Sequence, residues 1–140
     1  MQGIINSIQE PKHMDPKDLL LVAVGGALGA CLRYLVILWT PAEGFPWATL
    51  SVNLIGSFAL GVIIALSSNQ ILDEKSTLLI ATGILGAFTT MSTYSIDTIT
   101  LWQDERLTTA LYVIATAIIG PILALIGMEI IDSGIFFNKN

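Results

Sequence analysis

The stretch Gly83-Ile84-Leu85-Gly86-Ala87-Phe88-Thr89-Thr90-Met91-Ser92-Thr93-Tyr94-Ser95-Ile96-Asp97-Thr98 decides how the chain is read. It starts as an apolar helix and turns into a run of hydroxyl side chains, with no charge before Asp97. Such a run is a poor lipid-facing helix. Gly86 ahead of a Thr/Ser run is a place where a helix breaks or bulges, releasing carbonyls from the i to i−4 ladder. Irregular backbone at membrane depth is tolerated only when it is buried in protein or lines a cavity. Freed carbonyls make a hard-oxygen site suited to a small cation such as Na+. The competing reading is an unbroken helix whose hydroxyls bond back to i−4 carbonyls. We expect the break.

The surrounding sequence sets this stretch in a membrane. The chain has 140 residues, of which 54% are hydrophobic and 12% charged, with mean hydropathy +0.76. A soluble domain carries about 25% charged residues, so most of this exterior is expected to face lipid. Four apolar runs follow one another at about 19–39, 47–66, 77–102 and 107–131. At 1.5 Å per residue, runs of about 20 to 25 residues match a hydrocarbon core of ~30 Å. The ten-residue alternation of a β-barrel is not seen, and backbone groups in lipid must bond within their own segment. The expected fold is therefore an all-α integral membrane protein with four transmembrane helices, the third broken near its middle. Residues 1–18, polar and interrupted by Pro11 and Pro16, read as an uncleaved tail rather than a secretory signal. Residues 132–140 read as a C-terminal tail.

Composition also excludes chemistry. Net charge is −5 with 6 Lys+Arg, too few basic groups to neutralise phosphates, so no nucleic acid is expected as a partner. One cysteine, Cys31, and one histidine, His13, leave nothing for a disulfide, a thiolate cage, a His-based metal site or a Ser/His triad. Trp39, Trp47 and Trp102 fall at predicted span ends, where indoles favour the interface. Lys12, Lys17, Lys75 and Lys139 stand on one side, against Arg33 and Arg106 on the other. That bias is weak, so charge leaves two readings open: a single orientation, or an antiparallel pair of identical chains.

Polar side chains in the other spans fall on faces. Thr49, Asn53 and Ser57 are spaced i, i+4, i+8, either as part of a path or as interhelical glue. Tyr112, Thr116 and Gly120 repeat that spacing before Pro121, whose missing N–H bends a helix. Gly25, Gly26, Gly29 and Ala30 give a small-residue face for helix contact. Arg33 lies a turn beyond, to attract anions or to snorkel. No Asp, Glu or His sits in the middle of the first, second or fourth run, so a proton-driven pump lacks its titrating groups. Neutral donors are what remain. They stabilise an anion without titrating, and a file of them replaces its water stepwise.

Three segments carry a resemblance: Gly25-Gly26-Ala27-Leu28-Gly29-Ala30-Cys31-Leu32-Arg33-Tyr34, then Ala48-Thr49-Leu50-Ser51-Val52-Asn53-Leu54-Ile55-Gly56-Ser57-Phe58, then Gly83 to Ser95. In this order they resemble the Fluc (CrcB-type) bacterial fluoride channels from about Val24 to Gly127. The resemblance implies a passive fluoride channel in the cell inner membrane that exports cytoplasmic fluoride. It implies an antiparallel, dual-topology homodimer with two pores and a central structural Na+. That ion would be held by backbone oxygens of Gly86 and Thr89 from each chain. The pore asparagine falls on Asn53, with Thr49 beside it, and a hydroxyl track on Tyr112 and Thr116, with Gly120 where a hydroxyl is often found. The vestibule arginine falls on Arg33. Asp97 stands where the pattern usually has Glu, and Ala87 where a glycine is common. The candidate ion path is then Thr49, Asn53, Ser57, Met91, Ser92, Thr93, Tyr94, Tyr112 and Thr116. Two phenylalanines of the family pattern are replaced by Met91 and Tyr94. Tyr94 keeps a ring edge, whereas Met91 offers only soft packing. That departure motivates an alternative: a weakly conducting or non-conducting subunit of a heterodimer with a homologue.

Overall fold

A computed structural model describes residues 15–41 and 44–137. The expectations for residues 1–14, His13 among them, for Glu43 and for Lys139 lie outside the described residues.

Apolar runs without strand signals become helices. The elements are α1 (Pro16–Trp39), α2 (Trp47–Ser68), α3 (74–88), α4 (Met91–Asp104) and α5 (106–137). α3 and α4 together make one broken span, Glu74–Asp104, so four helical spans are long and apolar enough to cross a membrane.

The helices run past the expected ends. Asp15 accepts a hydrogen bond from the Lys17 N–H at 2.9 Å, and Pro16 occupies the first turn, where a missing N–H costs nothing. The first span therefore begins inside the stretch read as a polar tail. α5 likewise continues to Phe137, through the start of the expected C-terminal tail. Asn69 Nδ2 donates to Asp132 Oδ1 at 2.8 Å and ties that extension to the end of α2. At the start of α3 the Ser76 N–H donates to Asp73 Oδ1 at 3.3 Å. Hydrogen bonding by Ser76 holds the Asp73 carboxyl below the usual carboxylate value.

α1 packs along α3, and α2 along α5. Small residues permit the approach. A Cβ at Gly29 would collide with the Ile84 carbonyl, and one at Gly61 with the Ala124 carbonyl. Both partner spans contain wide π turns, at Leu78–Leu85 and Ala115–Ile119. The second π stretch directly precedes Gly120 and Pro121, where the absent proline N–H already interrupts the α ladder.

The buried core is slight: Val52, Ala65 and Tyr112 are its hydrophobic members. Leu20, Leu28, Leu107, Leu125 and many others are exposed, which suits a surrounding of lipid or of other helices. Trp39 ends α1, Trp47 begins α2 and Trp102 lies near the end of α4, so all three stand at one end of the bundle. They are 81%, 55% and 55% exposed.

Replacement of Gly61 by Val should force α2 away from α5 and lower stability by about 1–3 kcal/mol. Chemical denaturation in detergent measures it, and unchanged stability would mean that the two helices do not touch there.

Candidate functional site

The third span breaks at Thr89 and Thr90. Gly86 itself stays helical, at φ −61° and ψ −34°. Thr89 has ψ 154°, and Thr90 is extended at φ −148°, ψ 118°. The break thus falls three residues beyond the glycine expected to cause it. Local chemistry explains the shift. Thr90 is the N-cap of α4, its hydroxyl accepting the Thr93 N–H at 3.2 Å. The Thr89 hydroxyl closes the preceding helix by donating to the Leu85 carbonyl at 3.1 Å.

Asn53 completes the break from α2. The Thr90 N–H donates to Asn53 Oδ1 at 2.8 Å, and Asn53 Nδ2 donates to the Thr90 carbonyl at 3.2 Å. One side-chain amide therefore satisfies both backbone polar groups of one buried residue. Asn53 and Thr90 are 8% and 5% exposed. Left unpaired, each backbone group would cost about 1–3 kcal/mol. The second N–H of the Asn53 amide is not needed for this pairing. A Cβ at Gly56 would collide with the Thr89 methyl, so the glycine lets α2 lie against the break.

The diverted N–H has a second effect. In an unbroken helix the Thr90 N–H would reach the Gly86 carbonyl; here it is given to Asn53. Gly86 is exposed. The expected sodium ligands, the backbone oxygens of Gly86 and Thr89, thus lie at a real interruption of the ladder. Hard neutral oxygens fit Na+ chemically, and no group of three or more His, Cys, Asp or Glu forms a metal cluster among the described residues.

Two cavities are lined in part by α4, and the first lies at the break. The first, about 280 Å3, is lined by Asn53, Ser57, Thr89, Thr90, Met91 and Thr116, with Gly86 at its edge. Met91 is 70% exposed. The second, about 260 Å3, opens toward the tryptophan end and is lined by Thr40, Thr49, Thr93, Asp97, Thr100 and Asp104. The sequence does not mark Thr40, Thr100 or Asp104 as site residues; Thr100 and Asp104 share a face of α4, and Thr40 comes to the same cavity from the end of α1.

The remaining candidates fall elsewhere. Ser92 is exposed, 3.1 Å from the Thr90 hydroxyl. Arg33 is half-exposed on α1 and lines neither cavity. Tyr112, expected on the path, is 0% exposed and stands behind the wall of the second cavity. Its hydroxyl donates to Asp97 Oδ2 at 3.3 Å. Its ring lies 5.3 Å from that of Tyr94 and meets Phe45 edge-on at 5.6 Å. Phe45 had no sequence signal beyond its place before Pro46.

The hydroxyls also bond back. Thr116 donates to the Tyr112 carbonyl at 2.9 Å, Ser95 to Met91 at 2.9 Å and Thr98 to Tyr94 at 2.7 Å. The span is broken, against the competing reading of an unbroken helix, although hydroxyls on both sides of the break bond back as that reading expected. A hydroxyl proton on a rotor is free to turn toward a stronger acceptor.

A broken span braced by an asparagine, beside a hydroxyl-lined cleft, is now placed in a family. The model described as CrcB-like protein, Camphor Resistance (CrcB), matches residues 20–128. The chain belongs to the CrcB-like family. Among its relatives is a protein named fluoride-specific ion channel FluC from Thermus thermophilus, 42% identical over 121 residues, covering 84% of this chain and 95% of the relative. One of the same name from Mesorhizobium japonicum is 40% identical, covering 77% and 90%. Another from Idiomarina loihiensis is 45% identical, covering 70% and 79%. This CrcB-like family is one of ion channels, not enzymes, and the four apolar spans make the chain a multi-pass membrane protein.

Asn53→Asp keeps an acceptor for the Thr90 N–H but turns a carboxylate toward the Thr90 carbonyl. It should destabilise the protein by about 1–3 kcal/mol and speed hydrogen exchange at the Thr90 amide. An unchanged exchange rate would show that the amide pair does not hold the break.

Proposed function

We propose that the chain is a fluoride-selective passive channel that lets cytoplasmic fluoride leave the cell. The observation that carries this reading is the first cavity, where the spare Asn53 N–H, Ser57 and Thr116 meet beside the broken span. Relatives of similar length bearing the name fluoride-specific ion channel support it. A small anion resists dehydration, because an isolated charge in a low dielectric costs tens of kcal/mol. Neutral donors offset that cost without trapping the ion as a fixed cation would.

The working form in this reading is an antiparallel, dual-topology homodimer in the cell inner membrane. Two features support it. The first cavity is open in one chain, with Gly86 and Met91 exposed at its edge. The tryptophans anchor only one end of the bundle, whereas membrane proteins carry aromatic belts at both interfaces; an inverted partner supplies the second belt. Two paths then arise by symmetry. Gly86 and Thr89 of both chains would hold a structural Na+ with backbone oxygens, and the ion would fix the two breaks against each other. Arg33 would attract the anion from the aqueous side.

Purified protein in liposomes, read with a fluoride electrode, should show fluoride efflux once valinomycin balances the charge, and no chloride efflux. Silence to fluoride would overturn the reading. Replacing Na+ by a bulky organic cation should weaken the dimer on size exclusion; an unchanged dimer would remove the ion from the account.

Exposed Met91 favours one second reading, a weakly conducting partner in a heterodimer with a homologue. Met91→Phe should maintain or raise fluoride efflux by this chain alone, because a ring edge carries partial positive charge. A clear loss would show that the thioether is built into this path.

A further inference from the structure

Four hydroxyl side chains line the first cavity, and three of them have committed their protons. Thr89 donates to the Leu85 carbonyl at 3.1 Å, Thr116 to the Tyr112 carbonyl at 2.9 Å and Thr90 to the Thr93 hydroxyl at 3.1 Å. The fourth, Ser57, makes no side-chain hydrogen bond to any described residue. A helical serine has the i−4 carbonyl within reach, here that of Asn53, and Ser57 does not use it. A hydroxyl without a partner in apolar surroundings costs free energy, so this one calls for an acceptor inside the cavity.

Gly120 stands opposite it on α5. The glycine is buried and helical, at φ −53° and ψ −60°, a conformation open to any residue except proline's neighbours in strain, and one that gives no backbone reason for glycine. A Cβ there would lie 3.3 Å from Ser57 Oγ and 4.0 Å from Ser57 Cβ. Space is therefore what the glycine supplies. The hydroxyl of α2 sits where a side chain of α5 would otherwise press on it.

We propose that Ser57 is the hydroxyl that meets the anion in the first cavity, and that Gly120 keeps the place open for it. The inference rests on the fluoride-channel reading and names the donor within it. A hydroxyl already given to a carbonyl must break that bond before it turns to an anion, whereas the Ser57 proton turns without that loss. The spare Asn53 N–H, one turn earlier on α2, is the second donor at the same place.

The test moves the hydroxyl from one helix to the other. Ser57→Ala removes a single oxygen and should lower fluoride efflux roughly tenfold. Adding Gly120→Ser returns a hydroxyl from α5, on a Cβ 4.0 Å from the one at position 57, and should bring efflux to within about threefold of the unsubstituted chain. Adding Gly120→Ala instead restores volume without a donor and should leave efflux at the Ser57→Ala level. A merely structural role for Ser57 would not separate those two double variants. Equal efflux from the two overturns the proposal. So does efflux by Ser57→Ala within about twofold of the unsubstituted chain, whether or not the double variants fold. No efflux from the unsubstituted chain would instead refute the channel reading itself.

Discussion

The pairing of one asparagine amide with the backbone N–H and C=O of one residue governs this structure. Thr90 leaves the helix at membrane depth, where no water completes its hydrogen bonds. Asn53 meets its N–H and its carbonyl together, in the manner of a neighbouring strand. Only with that pairing is the break tolerable, and only with the break is the Gly86 carbonyl released. α2 supplies the amide and, through Gly56, the room for it. The hydroxyl cleft, the restart of α4 at its Thr90 cap and the direction of Asp97 all follow from where the helix resumes.

A second constraint is incompleteness. Helices that pack through glycine faces leave little side-chain core, and although Asn53 and Thr90 are buried, Gly86, Met91 and Ser92 beside the break are exposed. The single end bearing tryptophans has the same character. In the proposed inverted pair each chain closes the other's cleft, and belts form at both interfaces. Neutral donors suit a small, strongly hydrated anion because they replace water without holding the ion permanently.

Much of this was legible in the residues. Length and hydropathy give four spans, and the hydroxyl run after Gly86 gives the broken third, because neither signal depends on distant contacts. The span ends were less so: Pro16 was read as a breaker, although at a first helical turn it is a starter. The position of the break moved to Thr89 and Thr90 because a cap and a partner amide decide it, not the glycine. Asn53 was recognised, but its double pairing depends on which residue faces it 37 positions away. The family resemblance put Tyr112 on the path, and its spacing with Thr116 put both on one helix face. Spacing fixes a helix face but not depth, and the loop carrying Phe45 covers that ring. The second cavity was legible only in part: Thr49 and Thr93 stood among the path candidates, whereas Thr40 and Asp104 come to one cavity only in the fold.

A density map of the assembled protein in a lipid bilayer tests the central claim most directly. The account predicts two chains in opposite orientations, their Thr89–Thr90 breaks facing each other, with Asn53, Ser57 and Thr116 turned into a passage closed by the partner. Parallel chains, or breaks turned toward acyl tails with no passage between the copies, would contradict it.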